Sequence, residues 1–145
     1  EGALSGVRSL AVSLEHAPLD EAREGAHWGT AAEVARQVVQ RLLQLADEAP
    51  LLWSLNIPDV DLDALKGIKI CQPGRRDYHS SVTPEKEGHY RIGGPHRSFC
   101  DTPGTDGYWF QRGFAVLTPL ATSWALGRPV GPQVQSLLEA PLESD

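Results

Sequence analysis

The feature that most limits what this chain can fold into is an amphipathic helix between two short apolar segments. The helix is predicted over residues 31–46, where apolar side chains recur at helical spacing and polar ones occupy the other face. The flanking segments, residues 7–14 and 51–57, are apolar runs of strand length, typical of strands covered on both faces. Strand, helix and strand in this order predict a right-handed crossover unit of an open α/β sheet.

Two sets of residues are predicted to cap helices. Thr30 and Glu33 stand at capping-box spacing, in which the Thr30 hydroxyl accepts from the Glu33 amide and the Glu33 carboxylate accepts from the Thr30 amide. Gly104, Thr105 and Asp106 precede an aromatic run, and Thr105 or Asp106 is predicted to cap a short helix there. A capping role explains these polar residues without a ligand.

The remaining segments extend the sheet and add an arm. Residues 67–71 and 114–120 are predicted strands, and the polar residues 75–94 contain a central turn that predicts a projecting β-hairpin. We therefore divide the chain into an α/β segment, residues 1–120, and a tail, residues 121–145. The tail is rich in glycine and proline and is expected to be loosely held.

Composition and charge argue against several classes of function. The formal net charge of −6 disfavours binding to duplex nucleic acid, which needs clustered lysine and arginine to neutralise phosphates. The sequence has no apolar run long enough to cross a membrane. Two cysteines, Cys71 and Cys100, do not make a disulfide framework, so a cytoplasmic location is expected. His96 and Cys100 lack the paired spacing of zinc ligands and are expected to be loop residues.

The first residues of the chain have the pattern of a helix end. Residues 1–6 finish at Gly6, the residue type that most readily adopts the left-handed conformation that closes a helix. A domain rarely opens on a helix end, so we expect this chain to be the later part of a longer domain whose chemistry lies upstream. The alternative is a natural terminus trimmed by a protease or by a cloning choice.

Five segments in unbroken order resemble the SurE family of stationary-phase survival proteins. They are residues 1–14, Leu55-Asn56-Ile57-Pro58, residues 66–70, residues 74–78, and Gly104-Thr105-Asp106 with the Gly113-to-Leu120 strand. The similarity covers residues 1–120, and the alternative is a generic α/β domain with chance matches. The resemblance implies the C-terminal part of a Rossmann-like open sheet with a hairpin arm.

The resemblance also implies an activity and a cofactor. Members of the family are 5′/3′-nucleotidases that hydrolyse nucleoside monophosphates with a divalent cation, Mg²⁺ or Mn²⁺, held by paired aspartates, a serine and an asparagine that precede the matched segment. This chain has no Asp-Asp pair and no Ser-Gly-x-Asn, so no catalytic or metal residue carries over to it. Because phosphoryl transfer needs such a cation and a nucleophile or activated water, the chain alone is expected to be inactive.

Four basic residues of the predicted hairpin are weak candidates for contact with substrate. Arg75 and Arg76 stand at its base, where a guanidinium fork would suit a phosphate. His79 and His89 lie along it, and the only support for them is that the family's hairpin lies near its active-site mouth. Exposure to solvent is the simpler interpretation for all four.

The sequence therefore leads to one function and one alternative. The chain is predicted to form part of a metal-dependent nucleoside-monophosphate phosphatase. The family resemblance implies a homodimer or homotetramer. The alternative is a non-catalytic oligomerisation or binding module, or a pseudoenzyme, on the same scaffold. Strands meant for the middle of a parallel sheet would expose unpaired edges, so poor stability is expected of the chain alone.

Overall fold

The chain folds into strands and helices in the computed structural model, which describes residues 1–15, 25–45, 51–78, 82–92, 97–99, 101–121 and 130–142. The elements in chain order are β1 (Ser9–Glu15), α1 (Trp28–Leu42), β2 (Leu52–Pro58), β3 (Ile68–Ile70), β4 (Arg76–Tyr78), β5 (Val82–Lys86), β6 (His89–Ile92), β7 (Arg97–Phe99), α2 (Asp106–Phe110), β8 (Ala115–Leu120) and α3 (Pro132–Leu138). Short 3₁₀ turns at Ala3–Ser5 and Leu62–Ala64 precede β1 and β3. None of the helices in these ranges is long and apolar enough to span a membrane.

A four-stranded sheet with the order β1-β2-β8-β3 organises the structure. β1 and β2 are parallel, with Ser9 opposite Leu52 and Glu15 opposite Pro58, and α1 connects them, so the predicted crossover unit is confirmed. β8 enters between β2 and β3, antiparallel to β2 and parallel to β3. The sheet is therefore mixed, and β1 and β3 are its two outer strands within the described residues.

The hydrophobic core lies on the face of the sheet that α1 and α3 cover. Alternate residues of β2 point into it because successive side chains of a strand face opposite sides. Its fully buried large side chains are Val34, Val38, Trp53, Leu55, Ile57, Leu117 and Leu138. Helix α2 packs against β8, where Trp109 makes an edge-to-face contact with Phe114 (ring centroids 5.4 Å apart).

The capping-box prediction for helix α1 is wrong, because the helix begins three residues earlier than predicted. Thr30 lies inside the helix and is buried, and Glu33 forms an ion pair with Arg36 (2.7 Å) in the next turn. The first turn is instead held by Asp59, whose Oδ1 accepts from the His27 amide at 2.7 Å. A partner 32 positions away in the chain leaves no local pattern, so the capping-box spacing was misleading.

The described part of the tail, residues 130–142, contacts α1 and β3, and the loose hold expected of residues 121–145 stays a prediction. Leu138 of α3 is fully buried in the core. The Arg41 guanidinium donates to the Leu138 carbonyl at 3.0 Å, which ties α3 to α1. Glu139 accepts from the Ile70 amide at 2.9 Å, which ties α3 to the outer strand β3. These contacts attach the described part of the tail to the core.

A hairpin lies within the predicted arm. β5 and β6 pair antiparallel, and Gly88 in the turn between them has φ +77°, which favours glycine. β4 precedes this hairpin in the sequence and β7 follows it, and these two strands form a second antiparallel pair. The described residues therefore confirm a β-hairpin, at residues 82–92.

Candidate functional site

Polar residues collect where β1 and β2 end side by side. Ser13 and Glu15 belong to the last residues of β1, and Asn56 lies opposite Ser13 on β2. The Ser13 hydroxyl donates to Asn56 Oδ1 at 2.5 Å. In open α/β sheets ligands bind outside the carboxyl ends of the strands, so this is the candidate site. We call Ser13, Glu15, Asn56, His27 and Asp59 the carboxyl edge.

An imidazole held by a carboxylate adjoins these strand ends. His27 Nδ1 lies 2.8 Å from Asp59 Oδ1, the same oxygen that accepts from the His27 amide. His27 Nε2 lies 3.4 Å from Asp61 Oδ1. A ring held at both nitrogens in this way keeps one orientation at the carboxyl edge.

The carboxyl edge does not fit the divalent cation that the family resemblance implies. Both ring nitrogens of His27 face aspartate oxygens, so these three side chains are engaged with one another. In the ranges that the structure describes, no group of three or more His, Cys, Asp or Glu side chains is placed to hold a metal ion. The residues present here supply hydrogen-bonding groups rather than a ligand set.

The Gly104-Thr105-Asp106 motif has the capping role that the sequence predicts for it. Thr105 is the N-cap of α2, and its hydroxyl accepts from the Tyr108 amide at 3.4 Å. Asp106 Oδ1 accepts from the Gly74 amide at 2.8 Å. A Cβ at Gly74 would stand 2.7 Å from that oxygen, so the contact requires glycine. The motif therefore fastens the segment before β4 to helix α2.

The chain that leads to Arg75 leaves the sheet at the end opposite the carboxyl edge. β3 runs opposite to β2, so the chain that leaves β3 towards Arg75 travels to the other end of the sheet. Arg76 begins β4, which pairs only with β7 among the described strands. His89 on β6 is exposed, with Nδ1 3.2 Å from the Glu87 carbonyl. The other candidates lie outside the described residues: His79, His96 and Cys100.

Among the described residues, Cys71 and Glu33 have strongly displaced pKa values, and neither lies at the carboxyl edge. Burial raises the pKa of the Cys71 thiol to about 12, and the nearby Asp106 charge adds to this effect. Hydrogen bonds from Arg36 and then Gln37 lower the pKa of Glu33 to about 2. Cys71 is therefore an inert core thiol rather than a nucleophile, and Glu33 is a structural anion of α1.

Sequence reasoning missed the residues that form the carboxyl edge. Asn56 was part of a matched segment, and its position near a strand end could have marked it as facing the site. Ser13 could have been found by the same rule, since parallel strands end at one edge. The pairing of His27 with Asp59 joins a loop before α1 to a turn after β2 and leaves no local signal.

Comparisons with known proteins agree on one family. Residues 1–80, more than half of the chain, match the family model described as "Survival protein SurE". The 5′-nucleotidase SurE of Vibrio cholerae serotype O1 is 34% identical over 124 residues, covering 83% of this chain and 46% of that protein. The 5′-nucleotidase SurE of Neisseria meningitidis serogroup C is 32% identical over 124 residues, covering 83% of this chain and 48% of that protein.

A solved structure shows the same fold. The SurE protein from Aquifex aeolicus superposes with a TM-score of 0.60 at 22% sequence identity, covering 86% of this chain and 50% of that one. The chain thus spans about half the length of the relatives it matches. Its mixed α/β sheet has the Rossmann-like architecture that the resemblance implied. On these findings the chain belongs to the SurE family.

Proposed function

We propose that this chain forms part of a phosphatase that removes phosphate from nucleoside monophosphates with a divalent cation. One observation carries the proposal: 83% of the chain matches proteins named 5′-nucleotidase at up to 34% identity among those compared. Since the chain spans about half of their length, the complete activity is assigned to the assembled protein and not to this chain.

The chemistry of the carboxyl edge suggests which part of the substrate this chain binds and which part the other half of the protein binds. Glu15 and Asp59 carry negative charge and would repel a phosphate group, whereas Ser13 and Asn56 offer neutral donors and acceptors. Neutral hydrogen-bonding groups suit the hydroxyls of a ribose or the edge of a base. We therefore assign the nucleoside part of the substrate to this edge, and Mg²⁺ or Mn²⁺ and the phosphate to the half of the relatives that this chain does not match.

The assembly, the compartment and the basic residues of the arm belong to the same proposal. The assembled protein is a homodimer or homotetramer and works in the cytoplasm, a compartment that suits the free, buried thiol of Cys71. Contact of Arg76, His79 or His89 with substrate stays a prediction. For Arg75 we propose a structural role, because it follows the Gly74 contact that fastens this segment to α2.

The alternative function is a non-catalytic binding module or pseudoenzyme on the same scaffold. The exposed apolar residues Val82 and Tyr90 on the hairpin favour it, because exposed apolar and aromatic side chains often contact a partner. A binding module would fold, associate and leave nucleoside monophosphates intact in every assembly. A phosphatase would release phosphate once the complementary half is supplied.

The test joins this chain to the portion of the Vibrio cholerae relative that it does not match, in the relative's own order. We expect phosphate release from AMP with Mn²⁺ that a chelator abolishes. In that protein, Asn56→Ala should raise KM with little effect on kcat, since the side chain contacts the nucleoside and not the reacting phosphate. Val82→Ala on the hairpin is the matched control and should change neither. A folded fusion that hydrolyses no nucleotide would contradict the proposed function.

A further inference from the structure

Ser13 and Asn56 leave one hydrogen-bond donor and one acceptor available at the carboxyl edge. The Ser13 hydroxyl donates its proton to Asn56 Oδ1 at 2.5 Å, so the hydroxyl oxygen keeps lone pairs that can accept. The Asn56 amide keeps its two Nδ2 hydrogens, and nothing in the part of the chain that the structure describes accepts from them. Ser13 is exposed and Asn56 is half-buried, so a ligand can reach both side chains.

We propose that this pair recognises the adjacent 2′- and 3′-hydroxyls of a ribose, so that the protein prefers ribonucleotides to their deoxy analogues. One hydroxyl donates to Ser13 Oγ, and its neighbour accepts from Asn56 Nδ2. The inference rests on the proposed function, which assigns the nucleoside to the carboxyl edge. It adds which part of the nucleoside these two side chains bind and which substrates they favour.

The direction of the hydrogen bond between Ser13 and Asn56 favours the ribose over the base. An asparagine that reads the edge of adenine uses its Oδ1 and Nδ2 together, one as acceptor and the other as donor. In Asn56 the Oδ1 atom is already engaged by the Ser13 hydroxyl at 2.5 Å. One acceptor and one donor stay available on two neighbouring side chains. They match two adjacent hydroxyls, because each hydroxyl can either donate or accept.

The position of the pair also suits a sugar better than a phosphate. Glu15 ends β1 two residues beyond Ser13. Asp59 follows Asn56 by three residues, just after the end of β2. Carboxylates repel a phosphate but not a neutral hydroxyl. In Rossmann folds a polar side chain near a strand end holds a ribose hydroxyl, whereas the phosphates lie at the start of a helix.

The exposure of the two side chains limits the size of the preference. A hydrogen bond between neutral groups contributes about two- to tenfold in affinity, because water competes for both partners. Sites reject an analogue far more strongly when its absence leaves a buried polar group unpaired. Since Ser13 is exposed and Asn56 only half-buried, we expect each missing hydroxyl to lower kcat/KM by about fivefold.

Hydrolysis of AMP, 2′-deoxy-AMP and 3′-deoxy-AMP tests the proposal in the fusion with the unmatched portion of the Vibrio relative. Each deoxy analogue should have a kcat/KM about fivefold below that of AMP. In a double variant that combines Ser13→Ala and Asn56→Ala, the three values should agree within about twofold. Ser54→Ala is the matched control: Ser54 lies on the same face of β2, is also half-buried, and its loss should leave the preference intact.

Two results in an active fusion would overturn the proposal. One is equal kcat/KM for the three nucleotides without any substitution. The other is a preference for AMP that persists in the double variant.

Nuclear magnetic resonance of the isolated chain tests the ribose site without hydrolysis. Asn56 is the only asparagine in the sequence, so isotopically labelled asparagine gives the signals of a single side-chain amide. Adenosine should shift these signals at about fivefold lower concentration than 2′-deoxyadenosine. Equal concentrations, or no response to either nucleoside, would overturn the proposal. If adenosine is preferred but a folded fusion hydrolyses no AMP, the ribose site is supported and the proposed phosphatase activity alone is contradicted.

Discussion

Replacing Leu138 by alanine tests whether α3 is a part of the core. The side chain is fully buried, and α3 packs against α1 and β3. Removing three carbon groups costs about 2.4 kcal/mol in transfer at about 0.8 kcal/mol each, and the cavity adds to it. We expect the free energy of unfolding to fall by about 3 kcal/mol, which lowers Tm by about 6–12 °C for a domain of this size.

The assay is urea unfolding followed by tryptophan fluorescence and far-ultraviolet circular dichroism. Sucrose in the buffer would keep the variant folded at zero urea, since excluded osmolytes strengthen burial. Leu43→Ala is the matched control: the same change at an exposed position should alter the free energy of unfolding by less than about 0.5 kcal/mol. If Leu138→Ala is as stable as this control, α3 does not complete the core and the reasoning is refuted.

The remaining predictions concern two displaced pKa values. Because the pKa of Glu33 is lowered to about 2, its contribution to stability should be complete above pH 4.5 and disappear as the pH falls towards 2; Glu33→Gln should flatten this part of an acid unfolding curve. Because the pKa of Cys71 is raised to about 12, stability should fall as the pH rises from 9 to 12, and less so in Cys71→Ala. In a Cys100→Ser background, a thiol reagent at pH 8 should label Cys71 only on unfolding, and rapid labelling of the native chain would contradict its burial.

The elements with strong periodicity were predictable from the sequence. The helix between two apolar strands predicted the crossover unit, because the apolar face of the helix has to be buried against a sheet. Thr105, one of the two residues predicted to cap α2, is the cap, and its partner, the Tyr108 amide, is only three residues away. Interactions between residues a few positions apart can be predicted from the sequence without knowledge of the rest of the fold.

The features that sequence reasoning missed depend on residues far apart in the chain. Asp59 replaces the local cap of α1, and Glu139 orders the tail by accepting from Ile70 on β3. The carboxyl edge likewise forms only when β1 and β2 lie side by side, which brings Ser13 to Asn56. The basic residues of the arm were predicted to contact substrate because their charge suits a phosphate. The direction of β3 takes Arg75 away from the carboxyl edge.

We propose that this chain contributes the nucleoside-facing edge of a nucleotidase and that the half of the relatives without a counterpart here supplies the phosphate chemistry. Phosphate release from AMP by the isolated chain, with Mn²⁺ and with or without a chelator, tests it most directly. We expect release no faster than in buffer from the isolated chain, and chelator-sensitive release when the unmatched half of a relative is joined to it. Chelator-sensitive hydrolysis by the isolated chain would contradict it.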